Sequence, residues 1–132
     1  MIGVDTNVLL RHLLDDDPEQ SRAAHDFFGD RSAVDPAFVS LVTLIETAWV
    51  LHRAKGIALA RLASVVRSLL LAEEIVLQAP DIVRRALRDT EEAQSDFADA
   101  VIAHLGVDTG CDFTVTLDRH AGELPGMRLL GV

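Results

Sequence analysis

The chain has a single cysteine, Cys111, so it can close no disulfide on itself, and a reducing cytoplasm is the expected home. No apolar run approaches ~20 residues, which leaves nothing able to span a membrane as a helix. The N-terminus lacks a basic region followed by a long apolar stretch, so no signal peptide is expected. Positive charge is in short supply: 12 Lys and Arg stand against 21 Asp and Glu, for a net charge of −9. That balance weighs against a domain whose main task is to coat nucleic acid electrostatically, and leaves room for an enzyme that binds it at a local site. Lys55 is the only lysine among the basic residues. His12, His25, His52, His104 and His120 form no i,i+4 pair of the zinc-binding kind. A phosphate-binding glycine loop, a nucleophile elbow and a Cys-x-x-Cys are all missing.

What is present describes a folded domain. The 132 residues are 49% hydrophobic and 25% charged, enough for one compact domain with a real core. Short strands are predicted at 1–4, 33–39 (interrupted by Pro36), 74–78, 112–118 and 127–132, the first of them buried. Helical spacing covers 6–14, with Val8, Leu9, His12 and Leu13 near one face. A second helix starts cleanly, with Asp17 as cap, Pro18 in the first position and Gln20 as capping-box partner, and ends at Gly29. Ser40 caps a third helix that closes near Gly56. Further helices are predicted over 58–74, over 80–92 behind Pro80, and over 96–106 with its end near Gly106. Strands alternating with helices imply a parallel sheet covered on both faces. In such folds, sites form outside the carboxyl ends of the strands.

Four carboxylates occupy positions of that kind. Asp5 follows the first strand, and Asp118 follows the fourth. Glu46 is the only formally charged residue between Asp35 and Arg53, on a helix that reads as apolar nearly all round. A buried carboxylate there must be protonated, paired or bound to a metal. Asp96 and Asp99 share a helix face, and Asp99 leads the apolar side. Each acid also has a plain structural explanation: Asp5, Asp96 and Asp118 can cap, and Glu46 can share an exposed stripe with Thr43, Thr47 and Arg53. As a set, carboxylates without cysteine or paired histidine make a hard-oxygen site, which selects Mg²⁺ or Mn²⁺ and serves phosphoryl chemistry.

The segments "VDTNVLL" (4–10), "TLIETAWVL" (43–51), "DFADAVIAHLG" (96–106) and "TVTLDRH" (114–120) resemble, in order and spacing, the four signature segments of the PIN-domain family, and more narrowly those of VapC toxins of toxin–antitoxin pairs. The resemblance implies one nuclease domain over 1–132, a three-layer α/β/α sandwich with a mostly parallel sheet of about five strands. It implies a Mg²⁺- or Mn²⁺-dependent endoribonuclease acting on RNA, a homodimer, inhibited by a cognate VapB-like antitoxin and touching DNA only through it. By position, Asp5, Glu46, Asp99 and Asp118 correspond to the catalytic and metal-holding acids, Glu46 directly or through water. Asp96 is an extra acid able to replace Asp99, and Thr6, Asn7 and Thr116 take supporting positions. Arg11, Arg53 and Arg119 are candidates for phosphate contacts. Rival readings are a phosphatase with a strand-end aspartate nucleophile, a receiver-like signalling domain and a non-catalytic binding module. Asn7 stands where such a phosphatase has a second aspartate, and Lys55 lies away from the late strand end where a receiver needs its lysine.

Overall fold

In a computed structural model that describes residues 1–131, strands and helices alternate as expected. The order is β1 (Ile2–Gly3), α1 (Thr6–Leu14), α2 (Pro18–Gly29), β2 (Ala37–Val39), α3 (Leu41–Trp49), α4 (Leu59–Leu71), β3 (Ile75–Leu77), α5 (Pro80–Ala93), α6 (Phe97–Thr109), β4 (Thr114–Thr116) and β5 (Met127–Leu129). A π-helical turn, Val50–Ala54, extends α3, and a 3₁₀ turn, Ala121–Glu123, precedes β5. The strand predicted at 127–132 covers its first three residues only, and its final position, Val132, lies outside the described residues.

Every strand pairing is parallel. The strands form a three-stranded sheet ordered β1-β2-β3 and a two-stranded sheet of β4 and β5, rather than the one sheet of about five strands anticipated. The register sets Ile2 beside Ala37, Ala37 beside Ile75, and Thr114 beside Met127. β1 is an edge strand with two ladder residues, so Ile2 is 44% exposed where a buried strand was predicted. β2 is shorter than predicted: Pro36 has no N–H to give a ladder, and Ser32 and Asp35 close a turn on each other before it. The core between helices and strands contains Leu9, Val39, Leu44, Val66, Val83 and Phe97. Burial of these side chains, at roughly 25 cal/mol per Å² of apolar surface, is the main favourable term in the fold.

Local chemistry sets most helix ends. Asp17 accepts the Gln20 N–H at 3.0 Å, and Ser40 accepts the Thr43 N–H at 3.1 Å. α6 runs past Gly106 to Thr109 and is capped by Gly110, whose φ of 101° suits glycine. Gly106 is a packing residue instead, since a Cβ there would collide with Thr114 Oγ1 of β4. Cross-helix polar contacts hold the helix pairs. The Ser21 hydroxyl donates to the Arg11 carbonyl at 2.8 Å, joining α2 to α1. Burial, and then the neighbouring His25, hold the His12 imidazole of α1 below its ordinary value. Arg85 of α5 forks onto Asp108 of α6 at 3.0 and 2.8 Å and keeps that carboxyl below the usual range. His104 Nε2 of α6 meets Asp89 Oδ2 of α5 at 2.6 Å. No helix among the described residues is long and apolar enough to cross a membrane.

Replacing Asp17 by alanine removes the cap of α2. Urea unfolding is expected to show a loss of roughly 0.5–2 kcal/mol, and Asp17→Asn, which caps well, should keep most of the parent stability.

Candidate metal centre

Asp5 sits between β1 and α1 as the cap of that helix: its Oδ1 accepts the Val8 N–H at 3.1 Å. Its second oxygen makes no hydrogen bond among the described residues. The next residue reaches further. The Thr6 hydroxyl donates to Glu46 Oε1 at 3.1 Å, across 40 residues of sequence, and so ties the start of α1 to α3. Asp5 and Asn7 line an open cleft of about 800 Å³ together with Arg11, Gln20 and Phe27. Arg11 is already engaged there, through Nε to Gln20 at 2.7 Å and Nη1 to Asp16 at 2.8 Å.

Glu46 is exposed, on a helix read as apolar nearly all round and so buried on most sides, and the alternative of an exposed stripe holds with different members. The helix buries Thr43, Leu44, Thr47 and Ala48 on one side. On the other side Val42, at 69% exposure, and Trp49, at 58%, flank Glu46 at helical spacing. The exposed stripe therefore runs Val42–Glu46–Trp49–Arg53. Thr43 and Thr47 belong to the core, where the Thr47 hydroxyl is satisfied by the Thr43 carbonyl at 2.7 Å. Because Glu46 lies on the exposed side of the helix, it escapes the desolvation that its sequence context suggested.

A second group of acids gathers at the start of α6 and the end of β4. Asp96 caps α6 through Oδ1, which accepts the Ala98 N–H at 2.8 Å and the Asp99 N–H at 3.3 Å. Its Oδ2 receives Arg53 Nη2 at 3.4 Å. Asp118 Oδ1 accepts the Ala121 N–H at 2.9 Å, and the Asp118 N–H donates to Thr116 Oγ1 at 3.1 Å. Asp99 has no hydrogen-bond donor among the described residues. Burial first, then the negative charges of Asp96 and Asp118, push its carboxyl above the ordinary range, against the opposing pull of Arg53 and His120. His120 did not stand out in the sequence, although its place two residues after Asp118 was a usable signal. Its Nε2 lies 3.1 Å from the Gln94 carbonyl and its Nδ1 3.6 Å from Glu123.

The structure thus brings Asp96, Asp99 and Asp118 into one electrostatic group and joins Asp5 to Glu46 through Thr6. Among the described residues, no three acidic, histidine or cysteine side chains converge tightly enough to hold an ion as they stand. In kind, the donors fit a hard divalent cation: carboxylate oxygens in excess negative charge, one of them held partly out of water.

Residues 2–126 match the PIN domain family. The chain belongs to that family, whose members are generally metal-dependent nucleases and usually use divalent metals. A search of curated proteins found no match.

The raised Asp99 carboxyl has a stability consequence of definite sign. In the unfolded chain it ionises at the ordinary value of 3.8, and in the folded protein at a higher pH. Its ionisation therefore costs stability as pH rises through that interval and above it. In EDTA at neutral pH, Asp99→Asn is expected to melt higher than the parent. The gap should close as pH falls below the ordinary aspartate value. A variant that melts lower at neutral pH would mean that the ionised Asp99 is stabilised by its surroundings.

Proposed function

We propose that this chain is a VapC-like toxin, a Mg²⁺- or Mn²⁺-dependent endoribonuclease that works as one nuclease domain in the cytoplasm. The observation that carries the reading is the crowding of Asp99 by Asp96 and Asp118 at a helix start beside a strand end, a surplus of negative charge that a cation would offset. The quartet resemblance of the four signature segments supports the same reading. Asp5, Asp99 and Asp118, with Glu46 directly or through water, would hold the metal. A hard divalent ion bound there supplies water activation and charge stabilisation for phosphodiester hydrolysis.

The chain's own residues prepare that chemistry. The caps at Val8 and Ala121 fix one oxygen of Asp5 and of Asp118 and leave the other available. Thr6 orients Glu46, and Thr116 braces the backbone of Asp118. Both oxygens of Asp96 are engaged, which favours Asp99 over Asp96 as the ligand. Asn7 lines the cleft at Asp5, where RNA could approach. Arg53 stands beside the acids and would serve a phosphate better than Arg11, which is held by Asp16 and Gln20; Arg119 adjoins Asp118 in sequence. The reading includes a homodimer and a cognate VapB-like antitoxin, whose inserted arginine would satisfy several carboxylates at once.

Purified, antitoxin-free protein should cut structured RNA with Mg²⁺ or Mn²⁺ and stop in EDTA. Asp5→Asn, Asp99→Asn and Asp118→Asn should each lower the rate by on the order of 10²–10³-fold, the scale for losing one preorganised electrostatic group, while Asp17→Ala keeps it. Undiminished cleavage in EDTA would refute the metal-dependent reading. Deleting the antitoxin tail should release activity, and full inhibition by a tail-less antitoxin would refute insertion into the acids.

A further inference from the structure

We propose a second, chemically distinct cation site between α1 and α2, in which His12 and His25 chelate a borderline divalent ion such as Zn²⁺ or Cu²⁺ through their Nδ1 atoms. Those two atoms lie 2.9 Å apart, one from each helix. The rings meet at 66° with centroids 4.8 Å apart. Two imidazoles bound to one tetrahedral zinc at ~2.0–2.1 Å place their nitrogens roughly 3.3 Å apart, with each lone pair turned roughly 35° off the line between them, so the ion enters by a parting of a few tenths of an ångström together with a pivot of both rings.

The surroundings are those that ligating histidines need. His25 Nε2 lies 3.3 Å from Asp15 Oδ1. An ionised carboxylate only accepts, so Nε2 carries the proton, and a neutral His25 ring presents Nδ1 as a bare lone pair. A carboxylate on the distal nitrogen is the usual outer support of a metal-bound histidine, fixing both tautomer and ring orientation. Asp15 is placed for this by its left-handed backbone, φ 55°, just beyond α1. His12 is steadied on its other side by Phe28, with ring centroids 4.3 Å apart, and the Ser21–Arg11 hydrogen bond holds the two helices together. Glu74 adds negative charge near His12.

With both rings neutral and the proton of His25 on Nε2, His12 Nδ1–H donates to His25 Nδ1 in the absence of metal. On binding, the ion takes both Nδ1 lone pairs and that proton passes to His12 Nε2, so two neutral rings release none. Water completes the coordination. Nitrogen donors favour Zn²⁺ and Cu²⁺, whereas the carboxylates at the strand ends favour Mg²⁺ and Mn²⁺, so the two sites select different ions.

The test uses the tag-free full chain. In an Asp5→Asn/Asp99→Asn double variant, which disables the acid group, calorimetric titration with Zn²⁺ should still show one equivalent bound. His25→Gln in that background should weaken binding by at least about tenfold, and Asp15→Asn by about 10-fold or more, the scale for losing an outer-shell partner. His25 is 43% exposed, so its replacement leaves the core intact. Electron paramagnetic resonance of the Cu²⁺-loaded protein should show coupling to two imidazole nitrogens, reduced to one in His25→Gln. Equal Zn²⁺ affinity with and without His25, loss of Zn²⁺ binding in the double variant, or a copper spectrum with oxygen ligands only would overturn the proposal.

Discussion

The strand-end carboxylates are anchored to the backbone of the turns they begin. Asp5 and Asp118 each give one oxygen to an N–H three residues on, and Asp96 does the same at the start of α6. Such a bond fixes the side-chain rotamer and leaves the remaining oxygen of Asp5 and Asp118 pointing in a set direction. Capping and ligation are therefore compatible roles for one aspartate. A carboxylate at a helix start is also favoured by the helix dipole, which offsets part of the cost of gathering like charges.

Long-range contacts then decide which acids meet. The Thr6–Glu46 hydrogen bond couples α1 to α3, and Arg53, carried on the π-helical turn that follows α3, reaches Asp96 at the start of α6. A π turn shifts the residues after it around the helix axis, and such turns are frequent at functional sites. On the far side, α6 is held by α5 through Arg85–Asp108 and His104–Asp89, and Gly106 leaves room for the Thr114 hydroxyl of β4. Asp99 is the residue these restraints leave exposed to its neighbours' charge. It is partly desolvated, lies near the charges of Asp96 and Asp118, and is opposed by Arg53 and His120. That imbalance is what a bound cation would offset under the proposed function.

Much of this was legible along the chain. Helix starts depend on bonds between residues two or three apart, so Asp17 with Pro18, Ser40 and Asp96 announced α2, α3 and α6 correctly. The parallel α/β class followed from the alternation of short apolar runs with helical ones. The family followed from four short segments, each pairing an acid with a recognisable element. Tertiary structure decided the rest, because burial and pairing depend on where elements lie relative to each other. It put Val42, Glu46 and Trp49 in solvent although their helix looked apolar nearly all round, and it left Ile2 on an edge. It made Gly106 a contact rather than a stop, and it divided five short parallel strands into two sheets. His12 and His25, thirteen residues apart, have no periodic relation that a helix rule could detect. Only the packing of α1 on α2 brings their nitrogens within 2.9 Å, since contact between two helices is set by their crossing and not by the sequence spacing within either.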